Sequence, residues 1–440
     1  MTQLEEARRG RITDEVRFIA EREGVDPERL RRSVAKGHTV IFRNVHHNWV
    51  KPVAVGSAVR VKVNANIGTS RDIVDVEAEI EKARTAVKYG ADTIMDLSTG
   101  GDLDSIRKAI MKAVDVPIGT VPIYQAAEEV LAKGKAIIEM TEDDMWRAVE
   151  KHFRDGVDYA TIHVGITREV VEKMKRVKRV VGMVSRGGTF LAAWILHWEE
   201  ENPFYRDYDY LLELAKEYDV VLSLGDGLRP GGLPDAGDEL QMAELYTLGR
   251  LVRRAREAGV QTMVEGPGHV PIDQIPAQVK LAKVATEDAP FYVLGPLITD
   301  IFPGYDHIAG AIGGAIAALH GADFLCYVTP AEHLGLPTVE HVREGVIAAK
   351  LAAHAVNLTR FEADFRKDYL MSAARGRLDW AKQFELSQNQ DRFIEIRKER
   401  PTKTEACSMC GDLCAIKLIQ DMLRRDERKS YIRFTREFMG

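Results

Sequence analysis

Long apolar stretches are missing from this sequence. No run approaches the roughly 18 consecutive apolar residues that a membrane-spanning helix needs. The first residues, from Met1 to Arg9, carry acidic side chains and lack the apolar segment of a secretory signal. We therefore expect no membrane partner and a cytoplasmic location.

An excess of basic residues is missing as well. The chain has 61 Lys and Arg residues against 67 Asp and Glu residues, and its formal net charge is −6. A nucleic-acid-binding protein usually shows the opposite balance, so we expect no nucleic-acid partner. Hydrophobic residues make up 45% of the 440 residues. This content is enough for a large core and is typical of a globular enzyme.

Cysteine is scarce, and its distribution is uneven. Three of the four cysteines, Cys407, Cys410 and Cys414, lie within eight positions. This clustering does not suit a disulfide framework and indicates a reducing compartment, with the thiolates acting as ligands of one metal centre. A structural zinc site normally has four protein ligands, whereas an iron–sulfur cluster with three cysteines keeps one iron open. We favour the cluster, and a zinc site completed by a distant histidine is the alternative.

From about residue 59 onward, short apolar runs alternate with amphipathic helical stretches. This alternation predicts repeated β–α units and a parallel sheet. Nine runs are candidate strands, one more than a (β/α)8 barrel needs. They are residues 61–63, 93–97, 118–121, 159–162, 180–184, 220–224, 262–264, 292–294 and 324–328.

Polar or glycine-rich residues follow most of these candidate strands, for example Asn66, His163 and Glu265. A TIM barrel builds its active site from the loops at the carboxyl ends of its strands. A doubly wound sheet would concentrate such residues at one switch point instead. The sequence therefore favours an α/β fold of the (β/α)8 TIM-like class.

We predict four regions along the chain. Residues 1–58 form a helical segment with a short strand at 40–42, and residues 59–338 form the catalytic barrel. Residues 339–387 form a helical region. Residues 388–440 form a polar tether, at 388–404, followed by the cysteine-containing tail.

Two histidines at predicted strand ends suit a second metal. His269 ends a Gly-Pro-Gly-His turn, and His333 follows Glu332 in another such loop. Neutral imidazoles suit zinc or iron, and a metal held by two histidines keeps coordination positions open for water or substrate. His307 is a competing ligand, and each histidine taken singly is equally well explained as a hydrogen-bonded loop residue.

Two loops combine glycine with arginine. They are Ser185-Arg186-Gly187-Gly188 and the segment 225–232, which contains Asp226 and Arg229. Backbone N–H groups of glycine can approach phosphate oxygens, and arginine adds a charge-assisted pair. These loops predict a phosphate site, although tight βα turns also select glycine. Glu265, after another strand, is a candidate general base.

Several motifs together resemble the phosphomethylpyrimidine synthase family (ThiC), which uses S-adenosylmethionine in radical chemistry. The resemblance extends from about residue 8 to residue 417. It is carried by residues 63–68, 95–100, 119–125, 184–188, 225–231, 265–271 and 304–307, and by the cysteine motif at 407–414.

The resemblance implies a barrel lyase and a specific set of cofactors. A 4Fe–4S cluster on Cys407, Cys410 and Cys414 would bind S-adenosylmethionine and take an electron from an external donor, and these cysteines and Glu265 would be catalytic. His269 and His333 would hold Zn²⁺. The protein would be a homodimer in which the tail of one subunit serves the barrel of its partner.

The resemblance also implies the substrate, 5-aminoimidazole ribotide. Enzymes of the family convert this ribotide to 4-amino-5-hydroxymethyl-2-methylpyrimidine phosphate, a precursor of thiamine. The residues implied to contact the ribotide are Asn66, Met95, Tyr124, His163, Ser185, Arg186, Gly187, Asp226, Gly227, Leu228, Arg229, Glu265 and Tyr292.

Three alternatives stay open at the level of sequence. The chain departs from the family at Ala309 and Gly310, where Thr-Ser is usual, and this departure leaves the product open. A sister branch of the family converts the same ribotide to 5-hydroxybenzimidazole, a precursor of cobalamin. A zinc-dependent barrel hydrolase would use His269, His333 and Glu265, with the cysteines as a zinc knuckle. A ribotide-binding sensor would use the iron–sulfur cluster as a switch.

Overall fold

The computed structural model describes residues 1–423. The chain divides into two compact units, the first comprising residues 1–357 and the second beginning at Leu358. The end of the predicted tail, residues 424–440, lies outside the described residues.

The first unit begins with three short helices and an antiparallel hairpin. Thr13 caps the second helix, and Gly24 ends it at φ 66°, a left-handed conformation that favours glycine. Phe42 of the hairpin stacks on Tyr159, with 4.6 Å between ring centroids. These elements are α1 (Gln3–Arg8), α2 (Asp14–Glu23), α3 (Pro27–Ala35), β1 (Thr39–Phe42) and β2 (Val53–Gly56).

Eight parallel strands then form a closed barrel. They are β3 (Lys62–Ile67), β4 (Thr93–Asp96), β5 (Ile118–Thr120), β6 (Tyr159–Ile162), β7 (Val221–Leu224), β8 (Thr262–Gly266), β9 (Phe291–Leu294) and β10 (Phe324–Cys326). Each strand pairs with the next along the chain, and β10 pairs with β3, placing Leu325 opposite Val63. The predicted TIM-like barrel is confirmed. Because Tyr159 begins β6, the stacked Phe42 packs against the amino-terminal end of the barrel.

Helices surround the barrel and bury their apolar faces against it. A single hydrophobic cluster joins strand residues such as Ile94 and Leu222 to helix residues such as Ile110 and Val252. The helices are α4 (Val76–Lys88), α5 (Leu103–Ala113), α6 (Pro122–Ala132), α7 (Glu142–Asp155), α8 (Arg168–Met174), α9 (Arg186–Trp198), α10 (Pro203–Arg206), α11 (Tyr208–Tyr218), α12 (Glu239–Ala258), α13 (Ile275–Ala285), α14 (Asp306–His320) and α15 (Val339–Arg360).

The candidate strand at residues 180–184 is wrong. This segment is irregular and connects α8 to α9. Val180 is 76% exposed, and Gly182 has φ 81°, a backbone conformation that interrupts an extended strand. The apolar composition of residues 180–184 is what predicted a strand there. Without this segment, the nine candidates become the eight strands that a barrel requires. Strand β2 was not predicted, because a run as short as Val53–Gly56 carries little periodic signal.

Within the described residues, the second unit contains three complete helices, a helical segment that begins at residue 415, and the cysteine segment. The complete helices are α16 (Glu362–Gly376), α17 (Trp380–Leu386) and α18 (Gln390–Glu399). Helix α18 occupies the middle of the predicted polar tether. The Asn389 side chain caps it by accepting from the Arg392 N–H, and none of its residues is buried. Its apolar residues, Phe393, Ile394 and Ile396, are too few to form the stripe that sequence analysis uses to recognise a helix.

Candidate active site at the barrel mouth

One pocket opens at the carboxyl ends of the barrel strands. The predicted residues that line it are Asn66, Met95, Tyr124, His163, Asp226, Arg229, Glu265 and Tyr292. A second, outer pocket shares Asn66, Tyr124 and Arg229 with the first and adds Arg186. Residues far apart in the sequence meet here because parallel strands end at the same rim of a barrel.

Glu265, at the end of β8, is held by two hydroxyl groups. Its Oε1 atom accepts from the Thr161 hydroxyl at 2.6 Å and from the Ser223 hydroxyl at 2.7 Å. Burial raises the pKa of Glu265, and these two hydrogen bonds oppose the rise. A carboxyl group with a raised pKa beside a pocket suits proton transfer. Sequence analysis missed Thr161 and Ser223, although the two-residue period of β6 and β7 could have identified their inward-facing positions.

Asp226 and Arg229 form an ion pair in the loop after β7. The Arg229 Nη1 atom lies 3.1 Å from Asp226 Oδ1, while Asp226 Oδ2 is buried without a hydrogen-bond partner in the described chain. Burial raises the pKa of Asp226 well above its usual range, and Arg229 opposes this effect. Asp226 and Arg229 both line the pocket. There the carboxyl group suits a hydrogen-bond donor, and the guanidinium suits an anionic group.

His163, after β6, packs tightly against the loop that begins α9. Its Nε2 atom lies 3.0 Å from the Ser185 hydroxyl, and a Cβ on Gly187 would lie 2.4 Å from the imidazole ring. Glycine at 187 is therefore required for close packing, independently of any phosphate. Burial, with a smaller contribution from Arg229, lowers the pKa of His163 to about 3. The imidazole is neutral near pH 7.

This lowered pKa predicts a loss of stability in mild acid. Between pH 7 and pH 5 the unfolded chain takes up a proton at His163 and the folded chain does not, so the free energy of unfolding decreases by on the order of 2 kcal/mol. His163→Asn should lower stability at both pH values but show a smaller decrease between them. Guanidinium unfolding at the two pH values measures this difference, and equal decreases in both proteins would contradict the assignment.

The floor of the pocket is a network of neutral groups. The Asn64 amide donates to the Tyr292 hydroxyl at 2.7 Å, and the Asn66 amide donates to Cys326 Sγ at 3.1 Å. Burial raises the pKa of the Cys326 thiol to about 12, so the sulfur is protonated. Cys326 lines the pocket and was not among the predicted site residues, because a single strand cysteine gives no motif.

Arg186 and Tyr124 form one wall of the outer pocket. The guanidinium lies 5.0 Å from the centroid of the tyrosine ring, a distance at which a cation is attracted to the ring face. Arg186 is also the first residue of α9, whose N-terminus is capped by the Ser185 side chain. A helix N-terminus attracts anions, so this wall has two features that suit a phosphate group.

His269 and His333 lie close together, with 5.3 Å between their ring centroids. The Nδ1 atom of His269 lies 2.8 Å from an Asp300 oxygen, and that of His333 lies 3.0 Å from an Asp306 oxygen. Carboxylates on both Nδ1 atoms leave the Nε2 atoms for a metal, the usual arrangement of zinc-binding histidines. Two such nitrogens would supply two of the ligands of a zinc site. Within residues 1–423, however, no three His, Cys, Asp or Glu side chains converge on a single ion.

The cysteine segment of the second unit is a compact turn. The Cys407 carbonyl accepts from the N–H of Gly411 at 2.9 Å and of Cys410 at 3.3 Å. The N–H groups of Cys410 and Met409 lower the pKa of the Cys407 thiol. Desolvation and the nearby Cys407 and Cys414 thiols raise the pKa of Cys410. The three cysteines therefore lie in one short turn. An iron–sulfur cluster takes each thiolate on a different iron, so the three sulfurs need not converge on one ion, and the turn fits a cluster.

The match to known proteins covers almost the whole chain. The family model described as "Radical SAM ThiC family" matches residues 2–421. The chain belongs to this family. A phosphomethylpyrimidine synthase of Thermococcus gammatolerans is 89% identical over 97% of this chain and 100% of its own length. The enzyme of that name from Archaeoglobus fulgidus is 56% identical, again over 97% of this chain and 100% of its own length.

Membership of the ThiC family decides between the open hypotheses on cofactor chemistry. The protein is a radical SAM enzyme that acts on a small molecule with an iron–sulfur cluster and S-adenosylmethionine. The zinc-knuckle interpretation of the cysteines and the sensor without turnover are therefore not supported.

No helix within residues 1–423 is long and apolar enough to cross a membrane.

Proposed function

We propose that the protein is a lyase that converts 5-aminoimidazole ribotide to 4-amino-5-hydroxymethyl-2-methylpyrimidine phosphate. The observation that carries the proposal is the mouth pocket, where Arg229 adjoins two carboxyl groups, Asp226 and Glu265, and aromatic walls. Relatives at 79 to 89% identity are named phosphomethylpyrimidine synthase. Their name supports the thiamine pyrimidine over 5-hydroxybenzimidazole as the product.

In this proposal the ribotide phosphate lies in the outer pocket. Arg186 and Arg229 both line that pocket, and two guanidinium groups would hold the phosphate by charge-assisted hydrogen bonds. The N-terminus of α9 adds a favourable dipole. The same contacts orient the aminoimidazole ring toward the inner pocket.

The inner pocket would then enclose the aminoimidazole. Met95, Tyr124 and Tyr292 supply flat or apolar walls, and Asn66 supplies an amide for the polar edge of the ring. Glu265 would hold or move a proton at the amino group or at a ring nitrogen. Its raised pKa supports this role, because such a carboxyl group can exchange protons nearer neutral pH than an ordinary glutamate.

Cys407, Cys410 and Cys414 would hold the 4Fe–4S cluster. When bound, the cluster supplies the electron that cleaves S-adenosylmethionine, chemistry that belongs to the cofactor. We further propose an external electron donor, a homodimer in which each tail serves the partner's barrel, and a cytoplasmic location.

The proposed activity is tested with anaerobically reconstituted protein, a chemical reductant, S-adenosylmethionine and the ribotide. Mass spectrometry should detect the pyrimidine phosphate together with 5′-deoxyadenosine. Detection of 5-hydroxybenzimidazole would correct the product. If neither product forms although 5′-deoxyadenosine accumulates, the substrate is wrong.

A zinc ion on His269 and His333 is part of the proposal and gives a separate prediction. His333→Ala should reduce bound zinc to near zero, while Asp300→Asn should weaken zinc binding about tenfold or more, because Asp300 orients the His269 ring. Plasma mass spectrometry after dialysis against graded chelator measures both effects. His197→Ala, at an exposed position on α9, is the matched control. Equal zinc content in all four proteins would rule out the site.

A further inference from the structure

Glu244 is a buried acidic residue behind the mouth that the proposed function leaves without a role. It lies on α12 and is 2% exposed. One carboxylate oxygen accepts from the Gly227 N–H at 2.8 Å, and the other accepts from the Leu228 N–H at 2.7 Å. Each oxygen of this buried side chain therefore has its own partner in the loop that carries Asp226 and Arg229.

The next N–H group of that loop is also occupied. The Arg229 N–H donates to the Asp226 carbonyl at 3.2 Å and closes the turn. The three backbone donors from Gly227 to Arg229 thus have acceptors within the protein. At these positions the N–H groups are not available to a phosphate. The turn reaches the mouth through the Arg229 side chain instead.

A second contact holds the same loop from its carbonyl side. The Arg179 guanidinium donates to the Leu228 carbonyl at 2.6 Å and to the Arg229 carbonyl at 3.3 Å. Arg179 is itself fixed by two hydrogen bonds of 2.7 Å to Asp238, the N-cap residue of α12. The turn is therefore held between Glu244 and Arg179, and both contacts lead back to α12.

The packing around Glu244 shows that its position is built into the barrel. A Cβ on Gly165 would lie 2.7 Å from the Glu244 side chain, so only glycine at 165 allows the side chain to reach the loop. Glu244 also borders a small internal cavity together with Asp226 and Arg229. A side chain in this place can set the direction of the Arg229 guanidinium without touching the substrate.

We infer that Glu244 is a positioning residue for substrate recognition, because its carboxylate takes up the turn's N–H groups and directs the Arg229 and Asp226 side chains into the mouth. The identity of the ligand in this inference rests on the proposed function. The contact between Glu244 and the turn does not depend on the proposed function, so this contact can be tested without a substrate.

The first test is amide hydrogen exchange on the full chain. Glu244→Gln keeps the shape of the side chain, but its NH₂ group faces one of the two N–H donors and one hydrogen bond is lost. Exchange in peptides covering 226–229 should accelerate about tenfold, the factor for about 1.4 kcal/mol of lost protection. Peptides from β3 to β5 should be unchanged. Glu257→Gln, at an exposed position on α12, is the control. Unchanged exchange at 226–229 would overturn the inference.

The second test is a double-mutant cycle with Arg229. Glu244→Gln should weaken ribotide binding about tenfold and raise KM with kcat within about twofold, because the contact affected is remote from the reacting ring. In the Arg229→Ala background the same change should have almost no further effect. Additive losses would show that Glu244 acts only on general stability and would overturn the inference.

Failure of the proposed function can be told apart in the same cycle. If the wild-type protein does not bind the ribotide, the proposed substrate is wrong. Calorimetric titrations with inorganic phosphate then test the positioning role, again by whether the effects of the two substitutions are additive. Non-additive effects of the two substitutions on phosphate affinity would support it, and additive or absent effects would reject it.

Discussion

Cys410→Ala is expected to reduce 5′-deoxyadenosine formation by a factor on the order of a thousand or more. Removal of one of three thiolates leaves too few ligands to retain the cluster, and without the cluster no electron reaches S-adenosylmethionine. The barrel should stay folded. Cys410 is exposed and is not a member of the hydrophobic cluster around the eight strands, so its replacement removes nothing from that core.

The expectation is tested on the anaerobically purified variant. Iron and sulfide content and visible absorption measure loss of the cluster, and circular dichroism measures whether the barrel stays folded. Ser408→Ala, inside the same turn, is the matched control and should keep both iron and activity. A variant that retains a full complement of iron would show that Cys410 is not a ligand. Loss of the folded barrel would show that the cysteine segment has a structural role.

Arg229→Ala is expected to weaken ribotide binding by about 2–3 kcal/mol, the typical contribution of a hydrogen bond to a charged group. Arg229 lines both the inner and the outer pocket. It is also the cation that opposes the raised pKa of Asp226. Its removal should therefore leave Asp226 protonated over a wider pH range, in addition to removing the phosphate contact.

Calorimetric titration with the ribotide measures the loss of affinity, and Arg229→Lys should recover only part of it, because lysine lacks the planar fork of the guanidinium. Arg253→Ala on the exposed face of α12 is the control. Its side chain pairs with Glu287 at the surface, so binding should not change. An affinity for Arg229→Ala equal to that of the wild-type protein would remove Arg229 from the phosphate site.

The expectations that the structure bears out rest on local or periodic signals. The β–α alternation led to the barrel, and polar residues after the strands led to a shared mouth, where Asn66, His163 and Glu265 line one pocket. His269 and His333 both follow predicted strands, and their rings lie 5.3 Å apart. In each case the rule is geometric, since the carboxyl ends of parallel strands converge in every barrel.

The site residues that escaped prediction lack such signals. Thr161 and Ser223 bind Glu265, yet they are ordinary strand residues whose role depends on which strands become neighbours. Cys326 faces the pocket as an isolated cysteine. Glu244 lies on a helix behind the loop that it holds. The contacts of these residues join different elements of the chain, and no local pattern encodes such pairing.

Spacing along the chain was sufficient to predict the fold class, the cysteine motif and the residue types around the mouth. These features depend on spacing along the chain, which a sequence records directly. The tertiary structure decided the state of the site: a neutral His163, a protonated Cys326, an Asp226 with one unpartnered oxygen and a turn whose N–H groups are already bound. Those properties depend on burial and on neighbours from other strands and helices, and both exist only once the barrel has closed.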